Sequence, residues 1–180
     1  MGAPRRQTLV TKFEKLDKEI QTSFTHFLKL FSEFPTDVSI TYLFAQIETS
    51  QVNCLYCGVV KLHRANAVLT RQALENWHIT RPAFQDKYKL VFGKGFNKSV
   101  AERMEHAEKV RDNIVHGKCP KDGAMRQAVF DIFEYSTLFS DQVMDHGGFT
   151  PFGSLRGFKG RAKSLDKSTS RWILKGMGFT

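Results

Sequence analysis

The stretch SVAERMEHAEKVRDNIVHGKCP, Ser99–Pro120, carries the signals for both ends of a helix and for the face that the helix buries. Ser99 and Glu102 form a Ser-x-x-Glu capping box, which predicts that the helix begins here. Gly117 and Pro120 predict its end, because a left-handed glycine closes helices and proline cannot extend them. The apolar residues between these signals share one helical face and predict a buried stripe: Val100, Met104, Ala107 and Ile114.

Helical periodicity extends through most of the chain, whereas strand signals are scarce. Pro35 is expected to end a first long helix. Thr80 and Gly93 are expected to cap and close a later one. The predicted helices span about residues 13–34, 40–62, 67–77, 81–92, 99–116, 125–146 and 164–176. We therefore predict an all-α helical bundle.

Positive charge is concentrated at the C-terminal end of the chain. The formal net charge is +9 over 180 residues, and from Gly153 onward seven basic residues accompany one acid, Asp166, which leaves a net +6. We divide the chain into a helical domain, residues 1–148, and a basic, glycine-rich appendage with a short helix, residues 149–180. Such a surface favours polyanions, which are nucleic acid or, less specifically, an anionic membrane. The candidate RNA-binding residues are Lys118, Arg156, Lys159, Arg161 and Lys163.

Composition excludes several classes of protein. No apolar run approaches the roughly 20 residues that cross a bilayer, and the N-terminus lacks an apolar signal core. Three cysteines are too few and too odd in number for a disulfide scaffold. Cys54 and Cys57 form a C-x-x-C pair without a second pair, so we expect packing rather than a metal site. A reduced, cytoplasmic protein without membrane association, metal or cofactor is predicted.

Arg111 lies where the helix is expected to bury an apolar residue, four positions after Ala107. A charge at such a position is costly unless it is paired or lies at an interface. Asp112 and His116 are four residues apart and therefore neighbours on the helix surface. The helix dipole at the C-terminal end favours a protonated His116. The pattern predicts a polar site where this helix meets another surface.

These residue types point to phosphodiester chemistry. An arginine fork suits a phosphate group, and a histidine can transfer protons near neutral pH. Without a metal-ligand set, the attacking group is expected to come from the substrate, as the 2′-hydroxyl of RNA does. The catalytic candidates are Arg111 for the charged phosphate, His116 for proton transfer and Asp112 for orienting the histidine.

The sequence RDNIVHG, with its arginine, adjacent polar residue and histidine after four intervening positions, resembles the signature of the HEPN superfamily, the higher eukaryotes and prokaryotes nucleotide-binding domain. The resemblance implies an up-and-down helical core and a metal-independent endoribonuclease that leaves a 2′,3′-cyclic phosphate. It also implies a homodimer with two motifs in a shared cleft. Many members act in bacterial defence or toxin–antitoxin systems, so a cognate antitoxin is a further implied partner.

Other interpretations of the motif stay open at this stage. Arg111 can pair with Asp112 or a nearby acid, and His116 can cap the helix through its side chain. Arg71 and His78 satisfy a six-residue form of the same spacing without the helix-end setting. Some superfamily members keep the fold but only bind nucleotides or scaffold a complex, so a non-catalytic nucleotide- or RNA-binding module is the alternative function. A helical protein–protein scaffold, in which the charge plays no role, is a third option.

The appendage also has two interpretations. Its phenylalanines, Phe149, Phe152 and Phe158, either stack on bases of a single strand or dock onto the helices. In the final helix, Trp172, Ile173 and Leu174 are expected to be buried. Arg171 and Lys175 are then expected to be exposed.

Overall fold

The computed structural model describes residues 2–75, 80–155, 158 and 164–179. Within these residues there are nine α-helices and no strand, which confirms the predicted all-α class. None of these helices is both long and apolar enough to cross a bilayer. The helices are α1 Arg6–Glu14, α2 Lys18–Ser23, α3 Phe27–Glu33, α4 Thr36–Leu62, α5 Ala67–Glu75, α6 Arg81–Phe92, α7 Lys98–Val115, α8 Asp122–Gly147 and α9 Lys167–Gly176.

The single long helix predicted for residues 13–34 is wrong, since α1, α2 and α3 occupy this stretch. The apolar stripe itself is correct as far as Phe31, and only Phe34, 47% exposed, departs from it. At the second break, between α2 and α3, residues distant in sequence form hydrogen bonds with Ser23. The carbonyl of Ser23 accepts a hydrogen bond from the Tyr42 hydroxyl at 3.2 Å, and its Oγ accepts from the Gly153 N–H at 2.8 Å. The three short helices thus bury the apolar side chains from Phe13 to Phe31 that one long helix was expected to bury.

Proline at position 35 separates α3 from α4. Phe34 adopts the extended backbone that a following proline favours, so α3 ends at Glu33. The next helix then begins directly after the proline, at Thr36, four residues before the predicted start at Ile40.

The predicted boundaries of α6 are confirmed. Thr80 Oγ1 accepts a hydrogen bond from the Ala83 N–H, and Gly93 has a left-handed φ of 67°. The capping box predicted at the start of α7 is wrong, because Asn97 is the N-cap and its side chain accepts from the Ser99 N–H. Ser99 therefore lies inside the first turn of the helix. The sequence correctly predicted a short polar side chain as the N-cap of α7, but the N-cap lies two residues earlier than predicted.

The chain forms two compact units. The first comprises Met1–Ile47, Asn97–Asp141 and Phe152–Ser154. Its core is rich in phenylalanine: the rings of Phe13, Phe27 and Phe133 have centroids 5.0–5.9 Å apart. Phe152, only 2% exposed, packs edge-on against Phe24 and against Phe139. Burial rather than open stacking is therefore the outcome for Phe152.

The second unit comprises Glu48–Phe96, Gln142–Pro151 and Leu155–Thr180. Its core contains Cys54 and Cys57, both fully buried, as their apolar helical run predicted. Phe149 is also buried, with its ring centroid 6.1 Å from that of Phe92. Gly58 provides space here, because a Cβ at this position would lie 2.5 Å from Val91 Cγ1.

The last helix, α9, differs from its prediction in the exposure of Trp172. Leu174 is 2% exposed, as expected, whereas Trp172 is 77% exposed and was wrongly predicted to be buried. Arg171 and Lys175 are exposed, as expected. The helix begins at Lys167 because the Asp166 side chain caps it by accepting from the Thr169 N–H.

Candidate functional site

The C-terminal end of α7 is closed by two backbone hydrogen bonds that form a Schellman motif. The Gly117 N–H donates to the Ile114 carbonyl at 3.0 Å, and the Lys118 N–H donates to the Asn113 carbonyl at 2.8 Å. Gly117 takes the left-handed φ of 73° that the motif requires, which confirms the predicted glycine stop. The closed turn holds His116 at the end of the helix.

Arg111 lies at the edge of the buried stripe, with its side chain 32% exposed. Its Nε and Nη2 both donate to Asp112 Oδ1, at 3.1 and 3.0 Å. The guanidinium carbon lies 4.9 Å from the centroid of the Phe44 ring, which is buried beneath it. A charge at this place is tolerated because the guanidinium faces a carboxylate and a ring face while part of it stays hydrated.

His116 is exposed, and its backbone N–H donates to the Asp112 carbonyl at 3.0 Å. Within the described residues its ring makes no hydrogen bond or ion pair. Five helical positions separate it from Arg111, about 7.5 Å along the axis and about 140° around it. The structure thus brings Arg111 and Asp112 together and places an open imidazole one turn further on.

The predicted RNA-binding residues fall into two groups. Lys118 is exposed directly after the Schellman turn. The remaining candidates lie outside the described residues: Arg156, Lys159, Arg161 and Lys163. His78, from the alternative Arg71 pair, also lies outside them, whereas the Arg71 guanidinium is 5.2 Å from the Tyr56 ring centroid.

Sequence reasoning missed a second polar cluster on α7. His106 Nδ1 lies 2.8 Å from Asp131 Oδ2, and Asp131 Oδ1 accepts from Gln127 Nε2 at 2.8 Å. Asp131 is only 8% exposed, while the His106 side chain is 46% exposed. The four-residue spacing of Gln127 and Asp131 was visible in the sequence, but the contact with His106 joins two helices. Only the packing of α7 against α8 makes this a carboxylate–imidazole pair.

A second missed histidine lies at the end of α8. His146 Nδ1 is 2.7 Å from the Tyr88 hydroxyl, and its Nε2 is 3.5 Å from Asp145 Oδ2. Burial lowers the pKa of His146, and the nearby Lys94 lowers it further, whereas Asp145 acts in the opposite direction. Burial also raises the pKa of the Tyr88 hydroxyl, so this is a neutral hydrogen-bonded pair.

Two further features bear on chemistry at other places in the chain. Burial raises the pKa of the Cys57 thiol to about 12 and raises that of Cys54, so both thiols stay protonated and unreactive. Across the described residues, no group of three or more His, Cys, Asp and Glu side chains is arranged to hold a metal ion. A groove of about 640 Å³ between α1 and α8 contains none of the predicted site residues.

Comparisons with known protein families, with curated proteins and with solved structures found no match.

Proposed function

We propose that this chain is a metal-independent endoribonuclease whose site is built on the C-terminal end of α7. One observation supports this most strongly. Arg111 is fixed at the surface by Asp112, while the imidazole of His116 stands open at the C-cap of the same helix, five residues further on. RNA cleavage needs a cation that binds the phosphate and a group that transfers protons, and here both are carried by one rigid helix end.

The chemistry proposed uses the RNA's own 2′-hydroxyl as nucleophile. Its oxygen attacks phosphorus, the bond from phosphorus to the 5′-oxygen breaks, and the products are a 2′,3′-cyclic phosphate and a 5′-hydroxyl. One proton leaves the 2′-oxygen and one reaches the departing 5′-oxygen. Arg111 stabilises the charge that accumulates on the phosphorane oxygens. His116 transfers a proton. In the proposed homodimer, two copies of His116 provide the base and the acid.

Asp112 acts as a positioning residue in this proposal. Its Oδ1 accepts from two nitrogens of Arg111, which fixes the plane of the guanidinium. The expected orientation of His116 by Asp112 stays a prediction, since the His116 ring makes no hydrogen bond within the described residues. Loss of Asp112 should then lower the affinity for RNA and the cleavage rate together, because the arginine fork loses its orientation.

RNA cleavage by the purified protein in a chelator tests the proposal. The wild type is expected to cut a single-stranded or loop RNA, and His116→Ala is expected to abolish cutting. Arg111→Lys keeps the charge but loses the two-pronged geometry, so it should cut more slowly. His26→Ala, at an exposed histidine elsewhere in the first unit, is the matched control. A wild type that cuts no RNA, or a His116→Ala protein that cuts equally well, would rule this function out.

The alternative function is a non-catalytic RNA- or nucleotide-binding module. It is supported by the open ring of His116, which no described side chain orients for proton transfer. This alternative expects salt-dependent binding that survives His116→Ala. Deleting the appendage is a poor test, because Leu174, Met177 and Phe179 are buried. Neutralising exposed cations is the cleaner experiment.

A role in bacterial defence or in a toxin–antitoxin system is proposed as the biological setting. Induced expression of the wild type should then arrest growth of a bacterial host, and His116→Ala should not. Equal growth with both proteins, at equal protein levels, would exclude toxicity through this site. Rescue by a co-expressed neighbouring gene would identify the cognate antitoxin.

A further inference from the structure

Trp172 is the most exposed of the large apolar side chains in the described residues, at 77%. Tryptophan is costly to leave in water, and an exposed indole on a rigid element often contributes a binding contact. Its position on α9 is therefore unusual for a side chain that only supports the fold.

The exposure of Trp172 is not due to a loosely attached helix. On its other face α9 is held by Leu174, which is 2% exposed, and by Ser170, whose Oγ accepts from the Asn66 N–H at 2.9 Å. Just beyond the helix, Lys87 Nζ donates to the Met177 and Gly178 carbonyls at 2.7 and 2.6 Å. The indole is thus presented by an anchored scaffold, which lowers the entropy that binding would cost.

Two exposed cations flank the indole. Arg171 and Lys175 line a shallow groove of about 460 Å³ together with Trp172 and Gly176. Neither cation has a carboxylate partner within the described residues. Asp166 is the only acid after Gly153, and it accepts from the Thr169 N–H and hydroxyl at the start of α9. The groove therefore combines one aromatic face with two uncompensated positive charges.

We propose that this groove on α9 binds single-stranded RNA, with a base stacked on Trp172 and backbone phosphates on Arg171 and Lys175. The choice of RNA over single-stranded DNA rests on the proposed function. Stacking on an aromatic side chain with cations along the backbone is how single strands are held without sequence preference. An anionic membrane fits less well, because Ser168 and Thr169 make the rest of the exposed face polar.

Tryptophan fluorescence tests the proposal directly. Trp77→Phe removes the only other tryptophan, so that Trp172 alone reports binding. Titration with a 2′-O-methyl oligouridylate, which has no 2′-hydroxyl to attack, is expected to quench this emission. Trp172→Ala should weaken binding of a labelled strand by about 5-fold to 150-fold, the range for one stacked base. Trp172→Phe should retain part of the affinity. Leu90→Ala, at an apolar side chain that is 50% exposed, is the control and should bind as wild type.

Charge provides the second arm of the experiment. Arg171→Gln with Lys175→Gln should weaken binding and reduce its dependence on salt concentration, since fewer counterions are released. Unchanged affinity in Trp172→Ala would overturn the proposal, as would emission that responds to anionic vesicles but not to the oligonucleotide. Because the strand cannot be cleaved, the result is independent of catalysis. If binding depends on Trp172 but the wild type cuts no RNA, the proposed nuclease is rejected and the groove is kept. If the wild type cuts RNA but binding does not depend on Trp172, only the groove is rejected.

Discussion

Helices α7 and α8 end in the same dipeptide with opposite consequences. Both have a histidine followed by glycine, VHGK at residues 115–118 and DHGG at residues 145–148. Each end is completed by a left-handed glycine, with φ of 73° at Gly117 and 68° at Gly148. Yet the His116 ring is open to solvent, whereas the His146 side chain is 14% exposed and bound to Tyr88.

The chemistry of a histidine at a helix end therefore depends on the side chains that surround it. At the end of α8 the helix dipole favours the protonated form of His146. At His146 burial outweighs it and lowers the pKa, because desolvation penalises the charged ring. His116 has no such neighbours and is accessible to a substrate. The first histidine is suited to function and the second to stability.

The largest expected effect separates these two roles. His116→Gln should reduce RNA cleavage by about 100-fold to 10,000-fold, the usual contribution of a general acid or base, without changing the free energy of unfolding. His146→Gln should lower stability and leave cleavage per folded molecule unchanged. RNA cleavage and urea unfolding of both variants check this. Loss of stability in His116→Gln, or loss of cleavage in fully folded His146→Gln, would reverse the assignment.

The glycines that follow the two histidines should respond differently to substitution. A Cβ at Gly147 would lie 2.6 Å from Phe149 Cε1 and 2.8 Å from Phe92 Cε1, so Gly147→Ala should cost about 1–3 kcal/mol of overpacking. At Gly117 a Cβ meets no atom within 4 Å, and Ala should cost about 1 kcal/mol through its positive φ alone.

Asparagine distinguishes the two causes in urea unfolding. It tolerates the left-handed conformation, so Gly117→Asn should be more stable than Gly117→Ala. At position 147 a larger side chain worsens the clash, so Asn should be less stable than Ala. The same order at both positions would show that one cause governs both ends.

The hydrogen bond between Tyr88 and His146 should have a smaller effect. Tyr88→Phe removes the hydroxyl that lies 2.7 Å from Nδ1 and should cost about 1 kcal/mol of unfolding free energy. Tyr56→Phe is the matched control, since its hydroxyl has no hydrogen-bond partner in the described part of the chain. Equal stabilities of the two variants would show that the bond contributes nothing.

A further, smaller effect is the pH dependence that His146 contributes to stability. Its folded pKa lies below the ordinary value of 6.5, so the native state binds fewer protons than the unfolded chain. Its contribution to stability is therefore complete above about pH 6.5 and is lost as pH falls through the folded pKa. Urea unfolding between about pH 7.5 and 5 should show a decline that is shallower in His146→Gln. Identical pH profiles would contradict the assignment.

Local features of this protein could be predicted from its amino-acid sequence. Helical periodicity predicted the all-α class, and the glycine stops at Gly93 and Gly117 were correct because they depend on backbone conformation within a few residues. The same pattern placed Arg111 on the buried stripe, whereas the structure leaves its side chain partly exposed at the edge of that stripe. Composition likewise identified the excess of positive charge near the C-terminus.

Which distant side chains contact one another depends on how the helices pack. The tertiary structure broke the first helix in two places, paired His106 with Asp131, buried His146 against Tyr88 and left Trp172 exposed. Apolar periodicity shows which face of a helix seeks burial, but not whether a neighbour covers it. Contacts between distant residues follow from how helices pack, and no local pattern encodes them. The open His116 and the shielded His146, each followed by glycine in the sequence, differ for this reason.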